Sequence, residues 1–438
     1  MTKRSVMEDL GPKAIKITSR EQSIKTAKPS LKDHLSDDQQ RAFEMLESGE
    51  NVFLTGGAGS GKSYLVRCFR EQVNPKTFPL LASTGAAAVI IGGRTFHSFF
   101  GLGIMDGGEA ATLARVQNDQ RAMKRISQVD GIIIDEISMI PSSALRVAEE
   151  VSRIARNSEL PWGGMRVIAV GDFAQLPPVT KSGPREWCFQ DSVWEKSGFL
   201  IAQLKHNQRL HENDFLDVLA DVRAGVVTSR VREFLDAHLR EDDSDDKSTR
   251  LFPRRDQSEF FNQKELAEIP KPEIRIASIY LGLEKHIEIL KKNCPVPAEL
   301  VLKEGCKVMF VQNDVQKRWV NGTQGTVIAI ESDKIVVEKT SGRDVTVEKS
   351  QFAIQDAEGN VVASVINFPL QLAYATTIHK SQGATLDTLW VDLTRLWEPG
   401  HAYVALSRLS SSQGLKLLGW SPRSIIADPA VMKFYSEI

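Results

Sequence analysis

Asn51-Val52-Phe53-Leu54-Thr55-Gly56-Gly57-Ala58-Gly59-Ser60-Gly61-Lys62-Ser63 is a short apolar run that breaks into glycines and closes on a lysine and a hydroxyl. From Gly56 to Ser63 it fits Gly-x-x-x-x-Gly-Lys-Ser/Thr, and Leu65, Val66 and Phe69 behind it are spaced for one face of a helix. A glycine-rich turn between strand and helix points successive backbone N–H groups at an anion, and the helix N-terminus adds partial positive charge. Gly56, Gly57, Ala58, Gly59, Ser60 and Gly61 are therefore assigned to the phosphates of ATP, Lys62 to the charge of the β and γ phosphates, and Ser63 to Mg²⁺.

Working outward, apolar runs at 51–54, 78–82, 131–134 and 165–170 alternate with helical segments from about residue 34, which predicts a parallel sheet with helices on both faces. Ligands of such sheets bind beyond the carboxyl ends of the strands. Ile132-Ile133-Ile134-Asp135-Glu136 ends there in two acids, which a buried strand does not carry without a positive partner. Mg²⁺ is that partner. Asp135 joins Ser63 around the metal, and Glu136 orients or deprotonates the attacking water, which a hydrolase needs and a binding module does not.

A chain of 438 residues predicts several domains. Its 42% hydrophobic and 25% charged residues, with no unbroken apolar run long enough for a bilayer, predict a soluble protein. A net charge of -1 neither supports nor excludes a nucleic-acid partner, because basic residues can be confined to one groove. Cys68, Cys188, Cys294 and Cys306 are far apart and read as reduced thiols. Residues 1–33 read as a basic flexible arm, and 96–130, opening on Gly101, Gly103, Gly107 and Gly108, as a small insertion. The acidic run 240–247 reads as a solvated linker. Residues 301–351 alternate β-branched positions around turn signals at Asn321-Gly322 and Ser341-Gly342, as in a small β-barrel, and strand–helix alternation resumes near 368.

Further stretches resemble superfamily-one helicases, and more closely the PIF (petite integration frequency) family with its RecD-like relatives, over residues 35 to about 420. Leu35-Ser36-Asp37-Asp38-Gln39-Gln40 resembles the family's opening segment, which implies that Gln39 reads the adenine edge. Ala82-Ser83-Thr84-Gly85-Ala86-Ala87-Ala88 with Gly92-Gly93-Arg94-Thr95-Phe96-His97-Ser98 is similar to its strand-gripping motif and implies that Thr84 and His97 touch DNA. Gly171-Asp172-Phe173-Ala174-Gln175-Leu176-Pro177-Pro178-Val179 resembles the third motif, with Gln175 sensing the γ phosphate. Asn207-Gln208-Arg209, followed by Asp214-Phe215 and Val222-Arg223-Ala224-Gly225, resembles the fourth, although Leu210 stands where many members have glutamine. Thr376-Thr377-Ile378-His379-Lys380-Ser381-Gln382-Gly383-Ala384-Thr385-Leu386 resembles the fifth, which implies that His379, Lys380 and Thr385 grip the strand and Gly383 lies against the nucleotide. His401-Ala402-Tyr403-Val404-Ala405-Leu406-Ser407-Arg408 resembles the sixth, so that Arg209 and Arg408 both face the transferred phosphate.

The resemblance implies an α/β fold with two RecA-like parallel-sheet motor domains, the first at 34–195 with a small insertion at about 97–125. The second, at 196–300 and 362–438, carries an inserted SH3-like β-barrel at 301–361, where Asn321 is expected at the nucleic acid. It also implies 5′-to-3′ DNA unwinding by a monomer on single-stranded, forked or tailed DNA, with RNA–DNA hybrid and folded DNA as further partners. The compartment would be the nucleoid of a bacterium, or the nucleus or mitochondrion of a eukaryote. A motor acting mainly on RNA, or without strand separation, has the same motifs, whereas a nucleotide switch needs neither Arg408 nor residues 376–386. The segment around Phe99 to Gly108 is the candidate strand-separating wedge; a tryptophan is more often core than stacking platform, and Trp319, beside Lys317 and Arg318, is the one to test for base stacking.

Overall fold

The opening helix, Asp37–Glu47, starts at a capping box in which Ser36 and Gln39 satisfy each other's backbone N–H, with Asp37 and Asp38 in its first turn. The computed structural model describes residues 35–90, 93–103, 105, 107–178, 185–210, 212–243, 246, 248–355 and 361–438, and those from Ser36 onward form one compact unit. The arm assigned to 1–33, and Gly92 and Val179 of two quoted motifs, lie outside the described residues.

The first sheet contains β1 (Val52–Gly56), β2 (Leu80–Ala82), β3 (Arg94–Thr95), β4 (Gly131–Asp135), β5 (Arg166–Gly171) and β6 (Leu200–Leu204), in the order β3-β2-β4-β5-β1-β6. All its pairings are parallel. Helices cover both faces, so Phe53, Ile132, Ile134, Val167 and Ala169 are all buried in one core. The first motor domain therefore reaches Leu204 and does not end at 195, because β6 pairs with β1 along its whole length.

The expected insertion at 97–125 is part of that core. Its helices Phe96–Phe100, Gly108–Gln117 and Gln120–Ser127 bury Phe96, Phe99, Phe100, Leu102, Val116, Ala122 and Ile126 against the helix Ser142–Arg156 and the sheet. Phe99 packs edge-on to Phe100 at 4.9 Å and is not an exposed wedge.

The second sheet opens with β7 (Thr249–Phe252), after which the chain leaves it to build a β domain. This contains β8 (Ile274–Ala277), β9 (Ile279–Gly282), β10 (Glu299–Leu302), β11 (Lys307–Phe310), β12 (Gln324–Ile330), β13 (Lys334–Lys339), β14 (Asp344–Glu348), β15 (Ser350–Gln355), β16 (Val361–Asn367) and β17 (Leu370–Leu372). Five of these form the antiparallel sheet β14-β13-β12-β11-β17, which closes over Phe310, Trp319, Ile335, Val337 and Val347. The insertion thus spans Ile274 to Leu372, wider than the expected 301–361, because β8 pairs with β10 and β9 with β16. The chain then returns with β18 (Ala375–Thr377), β19 (Leu389–Leu393) and β20 (Leu415–Trp420), in the parallel order β18-β7-β19-β20.

Two further expectations change. The acidic run is held to the second sheet, with Asp242 paired to Arg250 and Asp246 to Lys416. The last helix, Pro429–Ser436, assigned by position to the second motor domain, packs on the first: Val431 is fully buried in the first core and Phe434 stacks on Phe189 at 4.5 Å. Burial of Val431 alone is worth about 1.5–3 kcal/mol. The four cysteines are free, and among the described residues no helix is long and apolar enough to cross a membrane.

Candidate functional site

The glycine turn leaves β1 and enters the helix Lys62–Arg70 with Gly59 at φ +81° and Gly61 at φ +95°, in the left-handed region. A Cβ on Gly59 would stand 2.7 Å from Asn207 Oδ1, and one on Gly61 would strike the Gln39 amide, so the turn is built against the two segments beside it. Asn207 Nδ2 donates to the Ala58 carbonyl at 2.8 Å, and the Tyr403 hydroxyl accepts from Ala58 N at 2.9 Å. The buried Ser60 Oγ has no hydrogen-bond partner among the described residues. Lys62 Nζ rests on the carbonyls of Gly56 (2.7 Å) and Gly57 (3.0 Å), its pKa held down by burial against the pull of Asp172, Glu136 and Asp135. Gln39 is committed at both ends of its amide, accepting from Ser36 N and donating to the Ser60 carbonyl.

Opposite, β4 delivers Asp135, and Glu136 follows it in the left-handed region at φ +53°, an uncommon conformation for a side chain of its size. Burial, then the adjacent Asp135 carboxylate, pushes the Glu136 carboxyl up to about 7. Gln382 Nε2 donates to Glu136 Oε2 at 2.9 Å and to Gln175 Oε1 at 3.4 Å, tying the loop after β18 to the acids of the first sheet. Gln382 lay inside a quoted motif without being singled out.

Arg209 and Arg408 converge on Ser407: Arg209 Nη1 donates to its carbonyl at 2.7 Å and Arg408 Nη2 to its hydroxyl at 2.9 Å. Arg408 is 2% exposed and also donates to the carbonyls of Val404 and Ser381. Burial and then the charge of Arg209 lower its pKa to about 10. Among the described residues neither guanidinium has an ion-paired carboxylate. Glu136 is near enough to act on Arg408 electrostatically, but neither cation is hydrogen-bonded to an acid, an arrangement that leaves both free to take an anion.

Behind Lys62 lies a network that sequence reasoning missed. Asp172, fully buried after β5, accepts from Arg223 Nη2 at 2.8 Å and from the Tyr435 hydroxyl at 3.1 Å. That hydroxyl also accepts from Phe173 N and meets Thr55 Oγ1, each at 3.0 Å, while the Arg223 guanidinium lies 4.4 Å over the Tyr435 ring. Despite burial, Arg223 and Lys62 hold the Asp172 carboxyl low. Asp172 at a strand end was a usable signal; nothing local marks Tyr435.

The expected DNA contacts fall in two groups. Thr84 and His97 follow the paired strands β2 and β3, with Thr84 Oγ1 accepting from Ala87 N and His97 half-buried, its pKa lowered by burial. His379 and Lys380 are exposed after β18. Gly383, at φ +79°, is exposed in the same loop. Asn321 is brought to Thr385, since a Cβ on Gly322 would stand 3.1 Å from Ala384 Cβ and 3.2 Å from Thr385 N. No hydrogen bond or ion pair joins the two groups among the described residues. Trp319 is not a platform: it is 6% exposed, stacked on Phe310 at 4.4 Å and covered by Arg318.

Residues 34–233 match the family model described as PIF1-like helicase, and 285–330 the one described as DNA helicase Pif1, 2B domain. The chain is 64% identical over 403 residues to the ATP-dependent DNA helicase Pif1 of Bdellovibrio bacteriovorus, covering 92% of each. It is 36% identical over 419 residues to the human ATP-dependent DNA helicase PIF1, covering 94% of this chain and 65% of that longer protein. Among solved structures it is similar to Bacteroides sp Pif1 in complex with ADP-AlF4 (TM-score 0.81, 27% identity, 92% of this chain and 97% of that one). Bacteroides Pif1 bound to ssDNA is matched over the same shares at 28% identity with a TM-score of 0.64.

Proposed function

The chain belongs to the PIF1-like helicase family and is an ATP-dependent DNA helicase, and we propose that ATP drives it 5′ to 3′ along single-stranded DNA by closing and reopening its two motor domains. The observation that carries this is the pair Arg209, half-buried against Gly59, and Arg408, buried, which converge on Ser407 with neither hydrogen-bonded to an acid. A γ phosphate between them and Lys62 gives both guanidiniums a direct anionic partner, and its loss on hydrolysis removes the reason for the domains to stay closed.

Ser60 Oγ and the N–H groups of the turn take the phosphates, and Lys62 transfers from its two carbonyls to the β and γ oxygens. Ser63 and Asp135 would hold Mg²⁺, which would supply positive charge to the phosphates. Glu136, with its raised pKa, takes the proton of the attacking water, and Gln382 holds that carboxylate beside Gln175. Gln39 turns its amide to adenine, and Gly383 borders the nucleotide. Thr84 and His97 grip the strand on one domain and His379, Lys380, Thr385 and Asn321 on the other, so alternate tightening moves the protein without reading sequence. We assign the motor to replication, repair or recombination, acting as a monomer, with forked and tailed duplexes, RNA–DNA hybrid and folded DNA as its tracks.

Strand displacement on duplexes tailed at one end tests this. The expected result is ATP-dependent unwinding of the 5′-tailed substrate and little of the 3′-tailed one; equal unwinding of both rejects the polarity, and unwinding of neither rejects strand separation.

A further inference from the structure

Seven tryptophans occur in the chain, and Trp397 is the one whose ring stands substantially in solvent, 49% exposed, while Trp162, Trp187, Trp194, Trp319 and Trp390 are each below 8% and Trp420 is half-buried. It follows β19, on the same edge of the second sheet from which β18 delivers His379 and Lys380 and β7 delivers Arg254. Beside it lies a cleft of about 560 Å³ lined by Arg254, Gln257, Trp390, Thr394, Arg395 and Trp397.

The surroundings are cationic and aromatic together. The Arg254 guanidinium lies 5.4 Å over the Trp397 ring, and neither Arg254 nor Arg395 has an acidic partner among the described residues. Asp392 is the acid in the lining; its Oδ1 accepts from Thr394 N and Oγ1, and it is not ion-paired with either arginine among the described residues. Trp397 also meets His401 edge-on at 5.5 Å, and His401 meets the exposed His379 at 5.3 Å. The rings therefore form a continuous path from the fifth motif to the cleft.

We propose that Trp397 is the stacking face of a nucleobase subsite on the second motor domain, with Arg254 and Arg395 taking the adjoining phosphates. An aromatic plane accepts any base, since every base has a π-face, and unpaired guanidiniums hold the backbone without reading sequence. The cleft and its charge suit a strand of nucleic acid over a protein partner, whose apolar contacts would not call for two uncompensated cations. The subsite rests on the assignment of the strand path to His379 and Lys380, which it extends by one nucleotide contact.

Binding of the full chain to fluorescent oligothymidylate, intact or carrying a single abasic position moved along the strand, tests this. Wild type loses affinity at one position by about 5- to 100-fold, the range of a stacked base. Trp397→Ala binds intact DNA more weakly by the same factor and is indifferent to the abasic residue there, whereas Trp397→Phe restores both affinity and sensitivity. Arg254→Ala weakens binding to intact and abasic strands alike and lowers the salt slope by about one. Should Trp397→Ala fail to fold, Trp397→Leu keeps apolar bulk without a stacking plane and carries the same comparison. Trp397→Ala that binds like wild type, or that retains full abasic sensitivity at every position, overturns the proposal. Wild type that does not bind the oligonucleotide at all overturns the helicase reading instead.

Discussion

Tyr435→Phe removes one oxygen and leaves the ring that Arg223 covers. That oxygen is saturated: it donates to Asp172 Oδ1 and accepts from Phe173 N and Thr55 Oγ1, all between 3.0 and 3.1 Å. In the phenylalanine variant Thr55 can rotate to another acceptor and Asp172 keeps Arg223 and Ala174 N, but the Phe173 N–H is left without its partner. A buried donor stripped of its partner costs about 1–3 kcal/mol, and the lost bond to a carboxylate about 1 kcal/mol more, so the expected total is about 2–4 kcal/mol. For a cooperative unit the size of the first motor domain, that lowers the melting midpoint by roughly 5–10 °C. Scanning calorimetry of the nucleotide-free protein, following the transition that contains the first domain, reads this directly. A midpoint within about 1 °C of wild type would mean that the C-terminal helix is not clamped to Asp172 through this hydroxyl, and that the network behind Lys62 is wrongly described.

Three further outcomes follow from the same geometry. Glu136 has a folded pKa raised to about 7, so the acid stabilises the fold at low pH and that contribution is lost as pH rises from its ordinary value through 7; Glu136→Gln should therefore melt higher than wild type at pH 8, match it near pH 4.5, and hydrolyse no ATP. Gln382→Ala, which cuts the link between Glu136 and Gln175, should lower kcat by roughly 10- to 100-fold with little change in KM for ATP, as steady-state kinetics would record. Trp319→Ala should destabilise the β domain by about 3–5 kcal/mol in denaturant unfolding while leaving affinity for single-stranded DNA unchanged.

The phosphate turn was legible because its residues are contiguous and their context, strand before and helix after, is local. The strands predicted at 51–54, 131–134 and 165–170 agree with β1, β4 and β5 to within a residue or two, since fully apolar runs bounded by polar ends have few alternatives. Leu200–Leu204 was assigned to the wrong domain because its membership is decided by pairing with Val52–Gly56, far away in sequence. The β domain was read too narrowly for the same reason: Ile274–Ala277 and Ile279–Gly282, assigned with 196–300 to the second motor domain, join the β domain through partners at Glu299–Leu302 and Val361–Asn367. Trp319 and Trp397 show the limit of composition. Flanking cations suggested the first as a platform, but its ring is buried between Phe310 and Arg318, while Trp397, with Arg254 over it, keeps half its surface in solvent at a sheet edge that only the topology defines. Tyr435 meets Asp172 across 263 residues, and no local pattern announces such a contact.

The central claim, that two domains share one ATP site and that DNA controls it, is tested most directly by steady-state ATP hydrolysis with and without single-stranded DNA in wild type, Lys62→Ala and Arg408→Ala. The account predicts strong stimulation by DNA in wild type and loss of hydrolysis by at least about 1000-fold in Arg408→Ala, as in Lys62→Ala. Hydrolysis that ignores DNA and survives Arg408→Ala would contradict it, and would leave a nucleotide site served by the first domain alone.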